Sequence, residues 1–407
     1  MKKVLSILLV VVMLMTALVS CIGGGQTQPT TTTTSTQAIE TTTTPTQTAE
    51  TTTTTTISQD SPVDPPEDKK YSEGLEYTLN ADGESYSVTG IGTCTDTDLI
   101  IPKTHEDLPV TSIGDFAFTY CTSITSIEIP NSATSIGNSA FQYCTSLISI
   151  DIPDSVTSID ENTFSGCTSL ESIEIPKSVI SIGRYAFYNC TSLINIEVDT
   201  GNRYYKSIYG NLYTKDGKTL IQYGIGKEAP SFVIPEGVTS IGDYAFYGCT
   251  FLSSVEIPNS VTSIGHYSFC GCTSLTVVEI PNNVTTIGNR AFRNCTSLKS
   301  INIPDLVACI DLQTFMGCAS LISIEVGDLV TSFSSQAFYD CTSLTSIDIP
   351  NSVTWIGGYA FYNCTSLTNI NFEGTVEQWN AISKGSDWNN NVPATEVICI
   401  DGTISLE

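Results

Sequence analysis

The chain has 407 residues and a formal charge of −26 at pH 7, with 42 acidic side chains against 16 basic ones. Phosphate backbones need clustered cations, so this balance argues against a nucleic-acid partner; it suits solubility at a surface, or attraction to basic partners or metal ions. Fifteen cysteines accompany only two histidines, His105 and His266, whereas a zinc array needs paired ligands within a loop and usually histidines.

Residues 1–20 read as a lipoprotein signal peptide. Lys2 and Lys3 form its charged start, Val4 to Val19 its apolar run, and Leu18-Val19-Ser20-Cys21 its processing site. The tetrapeptide looks like a lipoprotein signal, in which Cys21 carries the lipid and becomes the first residue; the alternatives are a plain secretion signal or an uncleaved anchor helix. Loss of Lys2 and Lys3 takes the charge from −26 to −28. The expected location is the cell surface, exported and anchored to the membrane by lipid without spanning it.

Residues 21–70 are expected to be a disordered stalk. Runs of Thr with Gln, Pro and Glu carry almost no apolar side chains, so nothing offsets the ordering entropy. Extended at roughly 3 Å per residue, such a stretch reaches on the order of 100 Å. Residues 71–103 read as an N-terminal cap and first strand. A hairpin is predicted from Tyr77-Thr-Leu, a turn at Ala81-Asp82-Gly83, and Tyr86-Ser-Val-Thr; Leu99-Ile100-Ile101-Pro102 follows.

Residues 104–372 are repeats. The marker is a cysteine at positions 121, 144, 167 and 190, then 249, 272, 295, 318, 341 and 364. Each step within the two blocks is 23 residues, and the step between them is 59, so one coil is longer. A fixed period in this range means a solenoid. Within one unit, Leu147-x-x-Ile150-x-Ile152 has the alternation of a half-buried strand, Val156-x-x-Ile159 gives a second short extended run, and Phe164 with Cys167 a single helical turn. A Pro after the strand (Pro153, Pro176, Pro258) ends it. The predicted architecture is a mostly β, right-handed superhelix of 23-residue coils with one parallel main sheet, short 3-10 turns and capped ends. Stacking buries Leu, Ile, Val, Phe and Cys in columns.

The cysteine column falls on the apolar side. Parallel Cβ vectors in neighbouring coils fit a disulfide poorly, so buried free thiols are expected. Replacing Cys167 by Ser is expected to cost about 1–3 kcal/mol if the hydroxyl lacks a partner, and Ala less. Cys270-Gly-Cys272 is one close pair, too weak to define a redox or metal site. One residue of each main strand points outward. Eight of these are acidic: Glu128, Asp151, Glu174, Glu197, Glu256, Glu279, Glu325 and Asp348. They are candidate contacts on an expected concave face, for cations or a basic partner; solubility and resistance to sheet stacking are the plainer reading.

The long coil carries a predicted hairpin insertion at 199–231. Asn211-Leu-Tyr-Thr and Thr219-Leu-Ile-Gln-Tyr flank Lys215-Asp216-Gly217-Lys218, where Asp-Gly favours a tight primed turn. Tyrosine and arginine are favoured at interfaces. Arg203, Tyr204, Tyr205, Lys206, Tyr209, Tyr213, Lys215 and Lys218 are therefore candidate contacts, against the alternative that the insertion only packs on its neighbours. Residues 373–407 read as a C-terminal cap: a short helix at Val376-Glu-Gln-Trp-Asn-Ala-Ile, Trp379 and Trp388 covering the last coil, and a closing hairpin around Asp401-Gly402.

The motif Ser-Val-Thr-Ser-Ile-Gly-x-x-Ala-Phe-x-x-Cys-Thr-Ser-Leu-x-Ser-Ile resembles the BspA-like (treponemal-type) leucine-rich repeat surface proteins. The likeness covers residues 71–407, including Gly-Leu-Glu-Tyr-Thr-Leu-Asn at the entry and Gly-Thr-Val-Glu-Gln-Trp at the exit. It implies a microbial surface protein mediating protein–protein or cell adhesion, with an extracellular protein or glycan as partner, such as host matrix or other cells. No catalytic constellation stands out from the repeat consensus, so no enzyme activity and no cofactor are expected. A structural envelope component, or a lipoprotein binding cations or another soluble ligand, are the alternatives.

Overall fold

A computed structural model describes residues 70–406. The signal, most of the Thr-rich stretch and Cys21 lie outside the described residues. What is described is a mostly β solenoid of about 14 turns. No helix among the described residues is long and apolar enough to cross a membrane.

Each coil is built from three short segments. The main strand is three or four residues long in most coils, as in Ser149–Asp151 and Ser172–Ile175. Its central apolar residue points inward and its neighbours outward, as period-two alternation demands. Successive main strands run parallel and in register, with Ile127 opposite Ile150 and Glu128 opposite Asp151. A corner at the proline follows, closed by the Val156 amide donating to the Pro153 carbonyl at 3.0 Å. A two-residue second strand, Ser158–Ile159, then pairs in parallel with Ser135–Ile136 and Ser181–Ile182.

The third segment carries Phe and Cys. Where a helical turn is predicted, the chain makes single i→i+3 turns separated by left-handed residues, Asn162 at φ 56° and Gly166 at φ 76°. The reason is a competing set of partners. The amides of Asn162, Phe164 and Gly166 donate to the carbonyls of Arg184, Ala186 and Tyr188 in the next coil, at 2.8–3.0 Å. A continuous helix would turn those amides inward along its own axis. The left-handed positions cost roughly 1–2 kcal/mol for an L-residue, which the inter-coil bonds offset. Phenylalanines stack along this edge, with Phe118–Phe141 and Phe141–Phe164 centroids both 5.6 Å apart and nearly parallel.

The buried apolar side chains form two clusters, Leu75 to Leu212 and Tyr213 to Cys399. The division falls between adjacent residues of one strand in the long coil. That coil holds three antiparallel strands, Tyr205–Ile208, Asn211–Thr214 and Thr219–Gln222, the last joining the second-strand ladder beside Ser240–Ile241. Leu212 and Tyr213 take opposite faces of the middle strand, so each seals one stack. The primed turn lies at Tyr209-Gly210, where φ is 54° and 69°, and not at Asp216-Gly217. There the Asp216 carboxylate accepts from the Thr214 hydroxyl (2.7 Å) and the Lys218 amide (2.9 Å), which fixes a wider turn with only Gly217 left-handed.

Past Asn369–Phe372 a short helix, α1 (Val376–Ala381), starts at a capping box between Thr375 and Gln378. Glu396–Cys399 then adds to the main sheet and pairs antiparallel with Gly402–Ser405. Trp379 and Trp388 are buried with centroids 5.9 Å apart, and Trp388 closes the phenylalanine stack against Phe361 at 6.1 Å.

Candidate binding surfaces

The main sheet presents two outward rows. One is hydroxyl-rich (Ser126, Ser149, Ser172), and the other is the acidic row of eight residues from Glu128 to Asp348. Glu128 is half-buried and the other seven are exposed. In-register pairing sets Glu128 beside Asp151 and Glu174 beside Glu197. Neighbours about 4.8 Å apart repel by about 1 kcal/mol in water. At the end of the row Asn371 donates to Asp348 at 2.8 Å, a favourable contact. The row is interrupted after Glu197. The Ile196 amide donates to the Gly210 carbonyl of the long coil at 3.0 Å, and the strand-to-strand ladder resumes at Ser231–Ser254, with Val233 beside Glu256.

The long coil distributes its candidate contacts unevenly. Tyr209 is 82% exposed and Tyr204 51%. Tyr205 is half-buried, its hydroxyl accepting from the Ile182 amide at 3.0 Å. Tyr213 is fully buried, so it is removed from the contact set: its strand is covered on both faces, and Tyr213 packs in the cluster that runs on to Cys399. Arg203 is exposed and Lys206 half-buried. Lys215 and Lys218 reach back to the carbonyls of Thr200 and Gly237, both at 3.2 Å. Lys227 spans the base of the insertion, donating to the Tyr209 carbonyl (2.5 Å) and to Asn211 Oδ1 (2.7 Å); burial lowers its pKa.

Asn202, unnoticed in the sequence, holds this insertion to the preceding coil. It is 1% exposed and makes four hydrogen bonds: Nδ2 donates to the carbonyls of Pro176 (2.8 Å) and Val179 (2.9 Å), and Oδ1 accepts from the amides of Tyr204 and Tyr205. Ordinary coils use a serine for one of these contacts, as Ser178 does toward Val156 at 2.6 Å.

A second feature escaped the sequence reading. Tyr185-Ala-Phe-Tyr188 and Tyr244-Ala-Phe-Tyr247 flank the insertion, and their rings meet across it. Tyr188 and Tyr247 hydroxyls lie 2.8 Å apart and those of Tyr244 and Tyr185 3.2 Å. Desolvation, then the paired hydroxyl, raises the pKa of Tyr244 and of Tyr247. The signal was present: the same Tyr-Ala-Phe-Tyr string stands on both sides of the one irregular step.

The cysteine column is buried and unbridged from Cys144 to Cys364, as its register predicts. Burial pushes Cys190, Cys318 and Cys364 up to about 12, far from a reactive thiolate at neutral pH. Among the described residues no group of three or more His, Cys, Asp or Glu side chains is placed to hold a metal ion.

A family model described as the BspA type leucine-rich repeat region matches residues 97–213, 226–342 and 285–383, well over half of the chain. Among solved structures, a leucine-rich repeat protein from Eubacterium ventriosum is 24% identical, with 80% of this chain and 94% of that one covered and a TM-score of 0.62. The pneumococcal vaccine antigen PcpA is 19% identical over 77% of this chain and 82% of its own, with a TM-score of 0.50. A leucine-rich cell surface protein from Faecalibacterium prausnitzii is 30% identical over 80% of this chain and 99% of its own, with a TM-score of 0.44. No curated protein matches the chain.

Proposed function

The chain belongs to the BspA-type leucine-rich repeat family, and on that footing we propose that it is a cell-surface lipoprotein whose repeats adhere to an extracellular protein, without catalysis. The observation that carries this reading is the exposed main-sheet face. Its strands are parallel and in register, and its outward rows carry a hydroxyl and a carboxylate in most coils. A repeated surface of this kind offers many weak, equivalent contacts, and a basic partner laid along it gains from each. The Lys2-Lys3 start, the apolar run and the Leu-Val-Ser-Cys string support export and a lipid on Cys21. Residues 21–70 then serve as a stalk, 71–103 and 373–407 as caps.

The test is binding of intact cells and of purified protein to immobilised extracellular matrix proteins, with and without neutralisation of Glu128, Asp151, Glu174 and Glu197. Loss of adhesion on neutralisation supports the sheet face as the contact. Adhesion that persists unchanged moves the contact to the exposed side of the insertion, at Arg203, Tyr204 and Tyr209. Binding confined to isolated envelope would instead favour a structural role.

A further inference from the structure

We propose that the break in the turn ladder at the long coil is a binding site for an acidic saccharide, distinct from the sheet face. In ordinary coils three turn amides donate to carbonyls of the next coil. The long coil supplies only Tyr223 at this level, its amide bonded to the Ala245 carbonyl at 2.8 Å and its ring 5.1 Å from that of Phe246. The amides of Tyr185 and Phe187 therefore have no backbone acceptor among the described residues. A cavity of about 210 Å³ opens between the backbone at Gly183–Tyr188 and that at Gly242–Tyr244. A wider groove of about 450 Å³ adjoins it across Tyr185, Tyr188 and Tyr244. That size falls within the roughly 300–1,000 Å³ of small-ligand sites.

The groove offers tyrosine hydroxyls, side-chain amides and an arginine. Tyr244 and Tyr267 are stacked at 4.7 Å and 14°. Arg290 covers the other face of Tyr267, so what this stack offers a sugar is its hydroxyls. Asn162 and Asn294 supply donors and acceptors for hydroxyls. The charge is the more telling feature. In a protein of net charge −26, Arg293 lines the groove, Arg184 lines the adjoining cavity beside Asp243, and Arg290 is held at the edge on Tyr267. Arg290 lies over the Tyr267 ring, 5.1 Å from its centroid, and bonds its hydroxyl. Arg293 lines the groove, and its Nε is buried without a hydrogen-bond partner among the described residues. A planar guanidinium matches a carboxylate bidentately. A sugar ring bearing a carboxylate combines hydroxyls for the tyrosines and amides with an anion for Arg293.

The test titrates the full chain with a tetramer of galacturonic acid, following tyrosine fluorescence and amide chemical shifts. A neutral galactose tetramer and a tetraglutamate peptide serve as comparisons. The expected result is binding of the acidic saccharide alone, weakened by about tenfold in Arg293→Gln, the loss of one charge-assisted contact, and also weakened in Tyr267→Leu. Arg203→Gln in the insertion should leave it unchanged, and so should neutralising the four sheet-face acids, which separates this site from the adhesive surface. No binding up to about 10 mM, equal affinity for the neutral tetramer or the peptide, or full affinity in both cleft variants overturns the proposal.

Discussion

The Cys167 thiol donates to the carbonyl oxygen of Phe141, 26 residues earlier and 3.1 Å away. The same bond recurs down the column, as from Cys144 to Phe118 and from Cys364 to Phe338. The Phe141 carbonyl already accepts the Cys144 amide at 3.1 Å, so the thiol is its second donor. The cysteine is thus a small apolar filler with one directional contact between coils.

This bond changes the expected ranking of substitutions. A serine at 167 would find the Phe141 carbonyl, so its hydroxyl is not orphaned. Cys167→Ser and Cys167→Ala are each expected to cost about 1–3 kcal/mol and to fall within about 1 kcal/mol of one another. Urea unfolding of the two variants measures this. A serine penalty far above that of alanine would show that the hydroxyl finds no acceptor.

Buried thiols should also set an alkaline limit of stability. Cys190, Cys318 and Cys364 are pushed up to about 12 by burial, against 9.0 for an ordinary thiol. A group whose pKa is raised on folding contributes its full stability below the unfolded value, and loses it as pH climbs from there toward the folded value. Between pH 9 and 12 each such thiol should remove up to about 1.4 kcal/mol per pH unit. Thermal melts across pH 8–11 should therefore fall steeply, and less steeply in Cys318→Ala. An unchanged slope in that variant would show that the thiol does not control the alkaline limb.

The insertion should depend on Asn202. Asn202→Ala leaves two amides and two carbonyls without their side-chain partners and is expected to cost about 3 kcal/mol or more. Asn202→Asp removes both donors and buries a carboxylate, so relative to the parent it should regain stability as pH falls and the acid is protonated. Hydrogen exchange at the Tyr204 and Tyr205 amides should rise in Asn202→Ala, whereas Asn202→Asp keeps their acceptor. Protected amides in Asn202→Ala would mean that the insertion is held elsewhere.

Neutralising Glu128, Asp151, Glu174 and Glu197 with Gln or Asn should raise the melting temperature at low salt. Like charges opposite one another on a sheet repel, and amides in the row can bond as Asn371 does to Asp348. The gain should shrink as salt screens the row, with a Debye length of about 3 Å at 1 M. A gain independent of salt would assign it to packing and not to charge.

The repeat period, the two strands per coil, the cysteine register and the outward acidic row were legible in the sequence. Each depends on contacts between a residue and its equivalent 23 positions on, and a periodic string states those contacts directly. The sequence could not show what happens where the period fails. Whether Tyr213 is exposed depends on whether the three-stranded insert stands out from the solenoid or sits between two stacks, and an alternating pattern of tyrosines fits either arrangement. Asn202 takes over a serine's role only because the chain beyond it leaves the coil path. Tyr188 and Tyr247 stand 59 residues apart, yet their hydroxyls lie 2.8 Å apart because the long coil supplies no outer turn between them. Within the regular coils neighbours in space follow from spacing along the chain; at the insertion only the packed backbone determines which residues become neighbours.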